Sequence, residues 1–139
     1  MADFVHRIEV RFRDCDPLGH VNNAVYFTYL EQTRFQHWRA LWGFGTAGQR
    51  PDMPGVILAH AECDFKRQVK YGETIEIRLT VAELGRSSFR YTYEIVAADQ
   101  QTVATASTVQ VMYDYRQSRP VPIPDEIRQL LASSAATGR

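Results

Sequence analysis

A double change of hydrophobic period constrains this chain more than any other feature. Between His6 and Asp14 the residues alternate, with Ile8, Val10 and Phe12 on one side and Arg7, Glu9, Arg11 and Arg13 on the other, the pattern of a half-buried strand. Pro17 and Gly19 interrupt it. From about Asn23 the spacing becomes helical, with Phe27, Leu30, Arg34, Trp38 and Leu41 recurring every three or four residues. This predicts a helix of about twenty residues, about 30 Å long. Alternation then returns, most cleanly in Ile75, Ile77, Leu79 and Val81 and in Phe89, Tyr91, Tyr93 and Ile95. Four more strands are expected, in VILAHAECDF, ETIEIRLTVAEL, SSFRYTYEIVA and TVATASTVQVMYDY, with GRSS and ADQQ as hairpin-length turns. Residues 43–55, GFGTAGQRPDMPG, carry four glycines and two prolines and should form an irregular connection. PIPDEIRQLL should close the chain as a short helix with Pro124 at its start.

One long helix against one largely antiparallel sheet is an α+β arrangement. A helix apolar over so broad a face calls for a sheet that curves around it. The edges of that sheet would stay unpaired in one copy, so a dimer built by sheet continuation or helix contact is expected. A length of 139 residues suits one domain spanning 1–139.

Composition narrows the function classes. Sixteen basic and sixteen acidic side chains cancel, leaving no positive excess to drive counterion release, so no nucleic-acid partner is expected. No stretch reaches the apolar length of a membrane span, and MADFVHRIEVRFRD lacks the apolar segment of a signal peptide; a cytoplasmic protein with no membrane partner is expected. Cys15 and Cys63 fit neither a zinc spacing nor a disulfide scaffold and read as reduced thiols.

The chemistry concentrates in DCDPLGHVNNAVYF, residues 14–27. If the first strand extends this far, Asp14 and Asp16 share a face and Cys15 points away. Adjacent negative charge disfavours a thiolate, so Cys15 reads as a packed residue rather than a nucleophile. Asp16 precedes a helix whose first N–H groups lack intrahelical acceptors and whose dipole is positive at that end. A carboxylate there could attack an acyl carbon or activate water while a backbone amide stabilises the oxyanion. The residues alone slightly favour a plainer role: an Asx turn from Asp16 over Pro17, with Asn22 or Asn23 as N-cap. His20 is either a general base or a loop histidine bonded to backbone. Asp14, Asp16, His20 and His60 match no metal-ligand spacing, and no metal or cofactor is expected. His60 reads as a core or interface residue, and Glu31 with Arg34 as a surface ion pair.

The segments RIEVRFRDCDPLGHVNNAVYFTYLEQTR, VILAHAECDFKRQVKYGETIEI, LGRSSFRYTYEI and RPVPIPDEIRQLL, in this order, resemble the landmarks of the 4-hydroxybenzoyl-CoA thioesterase family of hot-dog proteins. The resemblance implies a hot-dog fold, a long central helix wrapped by a curved antiparallel β-sheet, in a homodimer or homotetramer. It implies hydrolysis of an acyl-CoA, or an acyl carrier protein thioester, to free acid and thiol. Asp16 would be the catalytic nucleophile or general base, the backbone amide of Asn23 would polarise the carbonyl, and His20 would orient water or the turn. Tyr26 would touch the acyl group. Arg86, with Ser87 and Ser88, would hold the CoA phosphates, helped by Arg67, Lys66, Lys70 and Arg90. Asn22 and Asn23 stand where aromatic-acyl members carry a Trp-Tyr pair, which is similar to relatives that hydrolyse fatty acyl thioesters. The alternative is a non-catalytic hot-dog protein that binds acyl-CoA or acyl carrier protein.

Overall fold

The computed structural model describes residues 2–47 and 53–137. Strand β1 (Phe4–Glu9) leads through a 3₁₀ turn (Phe12–Asp14) to helix α1 (Asn23–Trp42). Then come β2 (Gly55–Phe65), β3 (Thr74–Leu84), β4 (Ser88–Ala97), β5 (Thr102–Asp114), the two-residue β6 (Arg119–Pro120) and α2 (Asp125–Thr137). The six described strands form one antiparallel sheet in the order β1-β3-β4-β5-β2, with β6 beside β5. Register shifts at Leu58/His60, at Val81/Glu83 and opposite Ile95/Val96, where Val103 is the extra residue, place bulges in β2, β3 and β5. Bulges bend strands and increase twist, which lets the sheet curl around α1. The expected hot-dog fold is present.

Helix α1 buries Tyr26, Tyr29, Leu30, Thr33, Arg34, His37 and Trp38, a stripe at three- and four-residue spacing. It meets the sheet face formed by Ile75, Ile77, Leu79 and Val81 of β3 and Phe89, Tyr91, Tyr93 and Ile95 of β4, all buried. Asn22 caps the helix, its side chain accepting from the Ala24 N–H (2.9 Å). Gly43 ends it at φ 73°, and its N–H donates to the Arg39 carbonyl (3.0 Å). Helix α2 inserts Ile127 and Leu131 into the same core. No described helix is long and apolar enough to cross a membrane.

Four expectations change. Strand β1 stops at Glu9, because Glu9 pairs with Thr74, the first residue of β3, and beyond it there is no strand to follow. Asp14 and Asp16 therefore do not share a strand face. Arg34 is 4% exposed rather than a surface partner of Glu31, because the helix sinks into the curved sheet along that side. His60 is exposed rather than in the core of this chain, on the edge strand β2, with Nε2 3.7 Å from Glu62, which leaves only the interface half of its expectation. Of the irregular connection, residues 48–52 lie outside the described residues.

The core holds one titratable group with a large consequence. His37 is 1% exposed, with Nδ1 2.9 Å from the Tyr91 hydroxyl and Nε2 3.3 Å from Ser134 Oγ. The Trp38 indole N–H donates to the same Tyr91 hydroxyl (2.8 Å), so Tyr91 can donate its own proton to a neutral His37. Burial pushes the His37 pKa down to about 4. The unfolded chain binds this proton near pH 6.5, the folded protein only near 4. Stability is therefore fully present above pH 6.5 and falls as pH drops from 6.5 to 4, by about 3 kcal/mol. Denaturant unfolding across this window should show that loss in the wild type and a much flatter profile in His37→Gln.

Candidate active site

The turn between β1 and α1 is built by two aspartates with opposite duties. Asp14 is buried, and it organises the backbone. Its carboxylate accepts from the Arg11 N–H (3.0 Å), from Arg11 Nη2 (2.9 Å) and from the Tyr29 hydroxyl (2.7 Å), one helical stretch away. Burial alone would raise its pKa, but the Arg11 and Tyr29 hydrogen bonds outweigh that and hold it below the usual carboxylate range. Tyr29 is pushed well up, by burial first and then by Asp14.

Asp16 is only half-buried, and its Oδ1 accepts from the Leu18 N–H (2.9 Å), the Asx turn over Pro17. Its backbone N–H donates to the His20 carbonyl (3.0 Å), and the Gly19 N–H donates to the Asp16 carbonyl (3.0 Å). Gly19 takes φ 89°, a left-handed conformation that a side chain would disfavour. Cys15 and Val21 form an isolated bridge across this small loop, and the Val21 N–H donates to the Val69 carbonyl (2.8 Å). The loop is thus tied at its base while its tip stays outward, with Leu18 79% exposed.

This arrangement sets Asp16 beside a cavity of about 420 Å³ into which α1 begins. Asp16, His20, Asn23 and Tyr26 line it from one side, and Phe65 and Arg67, at and just after the end of β2, from the other. Asn23 is the first residue of α1, so its N–H has no intrahelical acceptor. His20 Nδ1 lies 3.4 Å from the Val21 carbonyl, so the imidazole is held to the loop backbone. A carboxylate, an unpaired helix N-terminal amide and an apolar wall of Val21, Tyr26 and Phe65 thus share one cavity. Such a set can hold an acyl carbonyl oxygen at the amide and present a carboxylate to its carbon.

Cys63, two residues before Phe65 on β2, does not line the cavity, and burial, and then the neighbouring Asp64, push its thiol up to about 11. It stays protonated at neutral pH. Among the described residues no three His, Cys, Asp or Glu side chains come together as a metal-holding set.

The hairpin residues Arg86, Ser87 and Ser88 are not in the cavity. Ser88 pairs with Val111 and Phe65 with Ala104, seven residues apart on β5, which is about 23 Å along the strand. Their backbone carbonyls serve the chain itself: Arg86 accepts from the Ile123 N–H (2.8 Å) and Ser87 from the Met112 N–H (2.8 Å). Arg90 is likewise occupied elsewhere, donating from Nη1 to Ser107 Oγ (2.7 Å). The spacing of the sequence held no sign of Phe65 or Gln68 as cavity residues, because they arrive from the far edge of the sheet.

Comparison with known proteins bears on the family and on the class of reaction. The profile of the thioesterase-like superfamily matches residues 10–131. This chain belongs to that superfamily. Among the relatives of this thioesterase, a 1,4-dihydroxy-2-naphthoyl-CoA hydrolase of Synechococcus elongatus is 31% identical over 140 residues, 97% of this chain and 99% of its own. One of Nostoc punctiforme, with the same name, is 34% identical over 135 residues, covering 94% of this chain and 88% of its own. A solved structure of a Thermus thermophilus thioesterase complexed with coenzyme A and zinc superposes with a TM-score of 0.83 at 31% identity, over 99% of this chain and 97% of that one. With superfamily and relatives in agreement over almost the whole sequence, the chain is a thioester hydrolase.

Proposed function

We propose that this thioesterase hydrolyses an acyl-CoA to free acid and CoA, with Asp16 as the reacting carboxylate. The observation that carries the reading is the meeting of Asp16 and the free Asn23 amide at one apolar cavity. The thioester carbonyl oxygen accepts from the Asn23 N–H at the positive end of α1, which draws charge off the carbon. Asp16 then either attacks that carbon, giving a mixed anhydride that water opens, or takes a proton from a water that attacks directly. In both routes the C–S bond breaks and CoA leaves as thiolate, which is then protonated. His20, tethered to the loop backbone, orients water beside the carboxylate.

An aromatic acyl group is favoured over the fatty acyl group that Asn22 and Asn23 suggested. Relatives at 31–34% identity are named as hydrolases of a naphthoyl-CoA, and the cavity wall is partly aromatic, with Tyr26 and Phe65 5.1 Å apart edge to face. A 4-hydroxybenzoyl group remains one case of that class. Lys66 and Arg67, both at the cavity, are cations available to CoA phosphates, whereas Arg86, Ser87 and Ser88, which do not line it, would contact CoA from a second copy of the chain. A homodimer or homotetramer is supported by the free outer edge of β2 among the described residues and by Phe27, Phe35, Leu58 and Phe65, each more than a third exposed. One catalytic domain acting in the cytoplasm completes the proposal.

A thiol-release assay over aromatic, short, medium and long acyl-CoAs tests the reading. Release from at least one class, with turnover rather than stoichiometry, is expected. Retention of one equivalent of ligand with no thiol release would make this a binding protein instead.

A further inference from the structure

Strand β2 ends the sheet on one side, and among the described residues no strand pairs with its outer edge. It is 11 residues long, whereas β1, at the other edge, has 6. Ala61, Cys63 and Phe65 pair with Thr108, Ala106 and Ala104 of β5, which in turn oppose the buried Tyr91, Tyr93 and Ile95, so these three β2 side chains point to the α1 side of the sheet. His60, Glu62 and Asp64 alternate with them on the outer face, and all three are exposed. Ala59 is the extra residue of the bulge, which resets the alternation so that Leu58 and Val56 point to the α1 side again. Leu58 and Phe65, 49% and 47% exposed, thus form an apolar rim beside unpaired backbone donors and acceptors, the combination that an added strand covers.

Charge selects a second copy of β2 as that strand, and it selects the register. Two identical strands paired antiparallel about a two-fold axis place the axis on one residue, and residues directly opposite share a face. With the axis at His60, the two imidazoles meet with no carboxylate opposite either. At Glu62 it sets that glutamate against its own copy, and at Cys63 it sets Glu62 against Asp64 twice; like charges directly opposite are unfavourable. At Ala61, His60 of each copy meets Glu62 of the other, and no like charges are opposed. An imidazole N–H donates to a carboxylate whether the ring is neutral or charged. Passing over the bulged Ala59, Cys63 then faces the partner's Leu58 and Phe65 faces the partner's Val56, apolar against apolar on the α1 side.

We propose that two copies join β2 to β2 about an axis at Ala61, with His60 of each against Glu62 of the other. This rests on the homodimer proposed above and fixes its register. Exposed pairs of this kind add little affinity; their part is to penalise the other registers, while the apolar rim supplies the contact. Phe65 lines the cavity that holds Asp16, so the partner's Val56 finishes that wall.

Cross-linking and charge exchange test the register. In a Cys15→Ser background, oxidised Ala61→Cys should give a disulfide-linked dimer, because opposed residues of antiparallel strands have Cα atoms about 4.5 to 5.5 Å apart. Without that substitution, Cys63 lies about 13 Å along the strands from its counterpart and should stay uncross-linked. His60→Glu and Glu62→His should each weaken the dimer Kd by about 10-fold in sedimentation velocity, and the two together should return it to within about 3-fold of the wild type. A wild-type dimer in which Ala61→Cys fails to cross-link, in which Cys63 cross-links, or in which the double exchange is no better than the single ones would overturn this register and leave the homodimer standing. A wild type that is monomeric at all concentrations would remove the homodimer itself, and the register with it.

Discussion

Asp16→Asn is expected to lower kcat for thioester hydrolysis by about 10²- to 10⁴-fold, while the melting temperature moves by no more than about 2 °C. The separation follows from how the side chain is used. One oxygen of Asp16 closes the Asx turn by accepting from the Leu18 N–H, and an asparagine Oδ1 can accept the same bond. The loop that holds His20 and leads into α1 should therefore keep its shape. What asparagine cannot do is attack an acyl carbon or take a proton from water. A hundredfold loss is about 2.7 kcal/mol of transition-state stabilisation, a magnitude reasonable for one reacting group. Asp16→Ala loses the turn bond as well, so it should add a small destabilisation to the same loss of rate. Steady-state thiol release and thermal unfolding, measured on both variants, separate the two contributions. Asp16→Asn retaining more than a tenth of the wild-type kcat would remove Asp16 from the reaction and leave it only its turn.

The part of the fold written in periodicity was legible. Phe27, Leu30, Arg34, Trp38 and Leu41 mark a helix because side-chain direction repeats every 3.6 residues, and α1 runs over Asn23–Trp42. Ile75 to Val81 and Phe89 to Ile95 alternate because one sheet face is packed on that helix. What periodicity does not encode is where a strand loses its neighbour. β1 ends at Glu9 only because β3 begins at Thr74, a partner far along the chain, so its alternating residues run past the observed strand. Arg34 matches the spacing of a surface ion pair, yet the sheet covers it, and local sequence carries no record of curvature. The candidate site divides along the same line. Asp16, His20, Asn23 and Tyr26 lie within one turn and the start of one helix, so their proximity could be argued locally. Phe65 arrives from the edge strand β2, and the distance of Arg86, Ser87 and Ser88 from it is set by the register of β5, which no motif reveals.

Asp14 carries the second large effect, and it should fall on stability. Asp14→Ala is expected to destabilise the fold by about 2 to 4 kcal/mol, with the folded fraction still hydrolysing thioester. The exposed Arg11 guanidinium contributes little, since an ion pair open to water is screened. The cost lies in the Tyr29 hydroxyl, which is 1% exposed and would lose its acceptor, and in the Arg11 N–H that the carboxylate caps at the 3₁₀ turn. If this is the cause, Tyr29→Phe in the Asp14→Ala background should be close to neutral or even stabilising, because an orphaned polar group is then removed rather than created. A double-mutant cycle by denaturant unfolding measures the coupling, expected at about 1 to 2 kcal/mol. pH gives an independent check. The folded-state pKa of Asp14 is depressed, so its contribution is present above the unfolded carboxylate value of 3.8 and is lost as pH falls through the folded one. The wild type should lose stability below about pH 4 more steeply than Asp14→Ala, beneath the window in which His37 titrates. An Asp14→Ala protein as stable as the wild type, or a cycle with no coupling to Tyr29, would mean that the turn is held by its backbone bonds alone. Two aspartates separated by one cysteine would then differ in chemistry without differing in what they support.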